Sequence, residues 1–171
     1  MELVEGKVRI RPLRYADRER LAKLANNKKI WLNVRDMFPH PYTIEDAEKF
    51  IDTVKQRDPP VTFAIEYDFK FVGAIGLVLQ QDVYRFSAEI GYWMGEPYWG
   101  KGIATQAVSL LSKYAFEELN MEKLFAGVFE GNEGSKKVLL KCGFQQEGIA
   151  KKAIFKNKKF MDELRFGKVR N

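Results

Sequence analysis

The sequence predicts an α+β fold: one mixed, mostly antiparallel twisted sheet of about six to seven strands, with helices on both faces. Two patterns predict it. Strand-like segments cluster in the middle of the chain, and a strand–helix–strand–helix unit follows them, an order unlike that of a doubly wound parallel sheet.

Val8, Ile10 and Leu13 suggest the opening strand. Asp17 stands where a helix N-cap would, ahead of the apolar stripe Leu21, Leu24 and Ala25. His40-Pro41-Tyr42-Thr43 leads to the best-marked helix start, where Thr43 and Asp46 have capping-box spacing and Ile44, Ala47, Phe50, Ile51 and Val54 recur at helical period. Pro59-Pro60 ends that helix, and 61–67, a polar turn at Asp68, and 71–79 read as a hairpin. Residues 87–94 return as a third antiparallel strand. A glycine-rich segment then feeds a helix over about 105–119, whose apolar face carries Ala104, Ala107, Val108, Leu111, Tyr114 and Ala115. A strand at 123–129, a short helix at 135–141 ended by Gly143, and two strands near 149–155 and 161–169 complete the order.

The 171 residues suit one domain spanning 1–171, and a composition 46% hydrophobic and 30% charged is globular. The start lacks a basic region followed by an apolar stretch, and no apolar run approaches the ~18 residues of a spanning helix. A cytoplasmic protein with no membrane partner is expected. One cysteine, Cys142, and one histidine, His40, exclude an internal disulfide and a zinc site, so no metal is expected. The net charge of +6 gathers at Lys151-Lys152 and Lys156-Asn157-Lys158-Lys159. Such clusters are usually solvated faces, and direct nucleic-acid binding is not expected from them.

Glycines ahead of a helix leave backbone N–H groups and the positive helix end open to a phosphate. Gly95-Glu96-Pro97-Tyr98-Trp99-Gly100-Lys101 has the spacing of a nucleotide-triphosphate loop, but Gly102 stands where that loop needs Ser or Thr for magnesium. A dinucleotide fingerprint would need a small third residue where Thr105 stands. Glycines serving a tight strand-to-helix turn remain the plain alternative.

Several segments in order settle the weighting. Glu89-Ile90-Gly91-Tyr92-Trp93-Met94, Tyr98-Trp99-Gly100-Lys101-Gly102-Ile103-Ala104-Thr105, Asn132-Glu133-Gly134-Ser135 and Cys142-Gly143-Phe144 resemble the GNAT N-acetyltransferases, specifically their RimJ/RimL-like branch. Arg9-Ile10-Arg11-Pro12-Leu13 and His40 to Ala47 extend the resemblance over nearly the whole chain. Trp99 replaces the superfamily's usual Gln or Arg at the start of the pyrophosphate loop, a departure familiar in that branch.

The resemblance implies a GNAT-like sheet and an acetyl-CoA site at the splay between the strands ending near Met94 and Phe129. Trp99, Gly100, Lys101, Gly102, Ile103, Ala104 and Thr105 would cradle the pyrophosphate, with Asn132 and Ser135 as further cofactor contacts. The backbone N–H of Met94 is the implied donor to the thioester oxygen. Ser135 is the implied hydroxyl for the departing sulfur, because Leu139 replaces the tyrosine common in the superfamily, although Ser135 equally suits a helix N-cap. Glu89 is the first choice of base, directly or through water, with a paired strand carboxylate as the alternative.

His40 reads as a turn or packing residue, and Trp31, Tyr42, Tyr84 and Phe86 as core, rim or acceptor-mouth aromatics. The expected reaction moves an acetyl group to a primary amine, foremost a protein N-terminal α-amine of ribosomal type. A small molecule or polyamine is the alternative acceptor, and the chain would act as a monomer or homodimer. A different class, a non-catalytic CoA-binding or RNA- or ribosome-associated module, would bind CoA without acceptor-dependent thiol release.

Overall fold

The computed structural model describes residues 1–171, and one sheet joins strands from both ends of the chain. Its strands are β1 (Leu3–Glu5), β2 (Val8–Arg11), β3 (Thr62–Tyr67), β4 (Lys70–Leu79), β5 (Ser87–Met94), β6 (Lys123–Phe129), β7 (Gln145–Lys156) and β8 (Lys159–Val169). The helices are α1 (Arg18–Ala25), α2 (Lys28–Trp31), α3 (Ile44–Lys55), α4 (Ile103–Glu117) and α5 (Glu133–Lys141). The sheet order is β1-β2-β3-β4-β5-β6-β8-β7, and every neighbouring pair is antiparallel except β5 and β6. The mixed, mostly antiparallel α+β class is as expected, with eight strands in place of six to seven.

The additional strand is β1, which at three residues is too short to show alternation; it turns back through Gly6 at φ +59°. The β3–β4 hairpin closes with Asp68 and Phe69 both at positive φ, the twist that a two-residue loop needs between right-twisted strands. Asn157 and Lys158 repeat that turn between β7 and β8. The short helix α2 was not anticipated, because four residues are too few to show a period. The helix after the glycines starts at Ile103, two residues before the expected bound, and the one after β6 starts at Glu133.

Alternation along the strands divides the core. Val8, Ile10, Phe63, Ile65, Ile75, Leu77 and Ile90 pack with Ala107, Val108 and Leu111 of α4 on one face. Ala64 and Phe71 pack with Leu21 of α1 and Ile51 of α3 on the other. Helices therefore cover both faces.

The capping box of α3 is formed: Thr43 Oγ1 accepts from the Asp46 N–H at 3.2 Å, and Asp46 Oδ2 accepts from the Thr43 N–H at 2.9 Å. Asp17 does not cap α1 with its side chain. Its carboxylate accepts two 2.8 Å hydrogen bonds from the Arg11 guanidinium and one from the Arg14 N–H, while Arg11 Nε donates to Glu66. The attraction of a buried guanidinium outweighs the cap, since neither charge could be buried alone.

Candidate functional site

The strands that hold the site part company. β5 and β6 pair only from Ser87 opposite Lys123 to Glu89 opposite Phe125, and beyond that point they diverge. On β5 the odd residues bond to β4, as the Gly95 N–H to Val72 carbonyl bond at 2.8 Å shows, so the backbone groups of Tyr92 and Met94 face the gap. Side chains alternate in the same way. Tyr92 and Met94 pack with the α4 face, whereas Glu89 and Trp93 stand on the α1–α3 face.

A cavity of about 560 Å³ opens at this splay. Met94, Trp99, Gly100, Lys101, Gly102, Ile103, Ala104, Thr105, Asn132 and Ser135 all line it, so the expected cofactor residues are brought together. Gly100 and Gly102 have φ of +72° and +75°, and Gly102 occupies the N-cap of α4 with no side chain over the helix end. From Gly100 to Thr105 no backbone N–H has an acceptor within the chain; the first bond is from Gln106 to the Gly102 carbonyl. Open donors, the α4 dipole and lining lysines Lys29, Lys101, Lys137 and Lys141 fit a pyrophosphate and further phosphate. Lys29 also binds Glu96 at 3.1 Å, and with Asn27 it holds the Glu96 carboxyl below its usual range. Trp99 donates its indole N–H to the Met94 carbonyl at 2.7 Å, which ties the loop to the end of β5.

Asn132 is the cap of α5, its Oδ1 accepting from the Ser135 N–H at 3.2 Å. Ser135 is therefore not the N-cap. Its hydroxyl is left free of the backbone and lies 2.8 Å from Tyr92 Oη.

A second cavity, of about 660 Å³, lies on the α1–α3 side, and it shares Asn33, Val34, Tyr92, Asn132 and Ser135 with the first. The shared residues mark a passage through the sheet at its splay. Glu89 lines only the second cavity, where Arg35 Nη2 holds its carboxylate at 2.6 Å. Apolar walls come from Met37, Phe38, Tyr42, Phe50 and Phe129, with Phe38 packed against Tyr42 and Trp93 at centroid distances of 4.9 and 5.6 Å. Gly91 opens this wall, since a Cβ there would meet nothing within 4 Å.

Of the four aromatics considered for the acceptor mouth, Tyr42 lines the cavity; Tyr84 and Phe86 are exposed elsewhere. Trp31 packs instead under the buried Lys156 ammonium, 3.9 Å from its ring, and His40 stacks on it at 5.9 Å, a packing role. Lys156 Nζ also binds Asp36 at 2.8 Å, which holds the segment carrying Asn33, Val34 and Arg35 against the β7–β8 hairpin.

Sequence reasoning missed Tyr92, Arg35 and Gly91 as site residues. For Tyr92 a signal existed: it shares parity with Met94 on one strand. Arg35 lies outside any periodic segment, where only the tertiary fold brings it to Glu89.

A family model described as an acetyltransferase (GNAT) domain matches residues 7–145, so the chain belongs to the GNAT acetyltransferases. It is an acetyl-CoA-dependent N-acetyltransferase. Bacillus subtilis YdaF, provisionally named a ribosomal N-acetyltransferase, is 34% identical over 90% of this chain and 86% of its own. The spermidine N(1)-acetyltransferase of Escherichia coli K12 is 30% identical over 92% and 83%. Among solved structures, RimL, a ribosomal L7/L12 α-N-protein acetyltransferase in complex with coenzyme A, superposes with a TM-score of 0.86 over 98% of this chain and 96% of that one, at 19% identity.

Proposed function

We propose that the acceptor is a protein N-terminal α-amine, entering through the second cavity to meet the thioester at the passage. The carrying observation is that both carboxylates lining that cavity already have partners: Glu89 binds Arg35, and Asp46 caps α3. A polyamine needs unpartnered anions for its distal ammonium groups, whereas an N-terminal segment needs an apolar trough and one amine site. The likeness to YdaF supports the same reading, and the likeness to the spermidine enzyme supports the polyamine alternative.

In this reading the open N–H groups of Gly100 to Thr105 hold the pyrophosphate, and Asn132 shapes the passage by capping α5. The Met94 N–H donates to the thioester oxygen as that oxygen gains charge. Glu89, of which Arg35 holds Oε1 only, receives the amine proton on its other oxygen directly or through water, a modest demand because an α-amine titrates at about 7.7–8.0 against about 10.4 for lysine. Ser135 donates to the departing sulfur. Residues 1–171 work as one cytoplasmic domain, monomeric or homodimeric, with no direct nucleic-acid contact; both cavities are lined within one chain, so the reading needs no residue from a second copy.

The test is thiol release from acetyl-CoA with peptides bearing free or blocked α-amines, spermidine and small amines. Free-α-amine peptides should exceed spermidine in kcat/KM by on the order of 10-fold or more, with the acetyl group on the α-nitrogen by mass spectrometry. The reverse order would replace this reading with the polyamine one.

A further inference from the structure

We infer that Tyr92 positions the Ser135 proton for the departing sulfur, acting through the 2.8 Å contact between the two hydroxyls. The inference rests on the reading of Ser135 as donor to that sulfur. Both side chains line both cavities, so their contact lies at the passage where the thioester and the amine must meet.

A serine hydroxyl has one proton and can turn it in several directions. At the third position of a helix it commonly turns to its own backbone, but here the only hydrogen-bond partner of Ser135 Oγ is Tyr92 Oη. Either oxygen could be the donor in this pair. Acidity orders the pair: a phenol O–H is a stronger hydrogen-bond donor and a weaker acceptor than an alkyl hydroxyl, so the donor to Ser135 Oγ is Tyr92. Its second acceptor, the Ser135 carbonyl, is farther at 3.3 Å. When Tyr92 donates to Oγ, the Ser135 proton is directed away from Tyr92 and into the passage. Accepting a hydrogen bond also polarises the serine O–H and makes it a better donor.

The step balances without proton transfer to or from Tyr92. The amine nitrogen forms the new C–N bond, the C–S bond breaks, and its electron pair leaves on sulfur. The charge on sulfur is met by the Ser135 hydrogen bond and finally by the proton that nitrogen gives up.

The experiment compares Tyr92→Phe, Ser135→Ala and the double variant with acetyl-CoA and with its selenoester, whose more acidic leaving group needs less assistance. Tyr92→Phe keeps the ring and should lower kcat for acetyl-CoA about 10-fold, with KM for acetyl-CoA within about twofold. With the selenoester the loss should shrink to under about threefold, and the double variant should be no slower than Ser135→Ala. Replacing Tyr92 by 3-fluorotyrosine, which keeps the donor, should preserve the parent rate.

An equal loss with both leaving groups, additive losses in the double variant, or a parent-like Tyr92→Phe would overturn the inference. If Ser135→Ala itself runs at the parent rate, the reading of Ser135 falls first. If Ser135→Ala is slow and Tyr92→Phe is not, only the role of Tyr92 falls.

Discussion

Replacing Gly102 separates backbone strain from loss of the phosphate cradle. Gly102 has φ +75° and ψ 4°, a left-handed conformation at the N-cap of α4. Alanine there costs about 1–2 kcal/mol in steric strain. For a chain of 171 residues each kcal/mol lowers Tm by about 2–4 °C, so Gly102→Ala should melt about 2–8 °C lower. No chain atom lies within 4 Å of the added Cβ, which therefore projects into the open cavity. Displacing the cofactor from one charge-assisted N–H bond costs about 1.5–3 kcal/mol, or about 10- to 150-fold in CoA affinity. Asparagine tolerates the left-handed region but still carries a Cβ. Gly102→Asn should therefore recover most of the melting temperature while CoA binding stays weak, as read by scanning fluorimetry and isothermal calorimetry. Parent-like CoA affinity in Gly102→Asn would refute the cradle.

Gly91→Ala puts its Cβ into open space in the second cavity and meets no chain atom within 4 Å, and the larger Gly91→Leu extends further into the acceptor's room, so acceptor KM should rise, by on the order of 10-fold for leucine, while acetyl-CoA KM holds. Steady-state kinetics varying each substrate checks it. Arg11→Leu leaves the Asp17 carboxylate buried without its cation and Glu66 with only Arg9 at 3.9 Å, at a cost of about 3–5 kcal/mol and roughly 6–20 °C in Tm. Burial pushes Tyr42 and Tyr92 up to about 12 from 10.0. A raised folded value means stability is intact below the unfolded value and is lost as pH rises through the folded one. Tyrosinate absorbance should show both phenols silent until about pH 12 or until the protein unfolds, whichever comes first; ionisation near 10 in the folded protein would contradict their burial.

The fold was legible where a period ran long enough to read. Helix α3 shows both its capping box and its stripe, and the β3–β4–β5 meander follows from alternation and turn residues. The segments that escaped, β1 and α2, are three and four residues long and draw their order from neighbours. Asp17 shows another limit: its residue type and position suit a cap, and the competing partner Arg11 can be recognised only once both are buried together.

The site divides in the same way. Sequence by itself determined the glycine turn ahead of α4, because a chain that turns through positive φ with its N–H groups open at a helix start calls for glycine, and that requirement is written in local residues such as Gly100 and Gly102. Only the tertiary structure decided the second cavity and the surroundings of Glu89, Tyr92 and Ser135. It drew Arg35 to Glu89 across 54 residues and Ser135 to Tyr92 across 43, and it gave the cap of α5 to Asn132. Contacts between distant segments are set by how the sheet splays and how the helices pack upon it, and no local spacing records them.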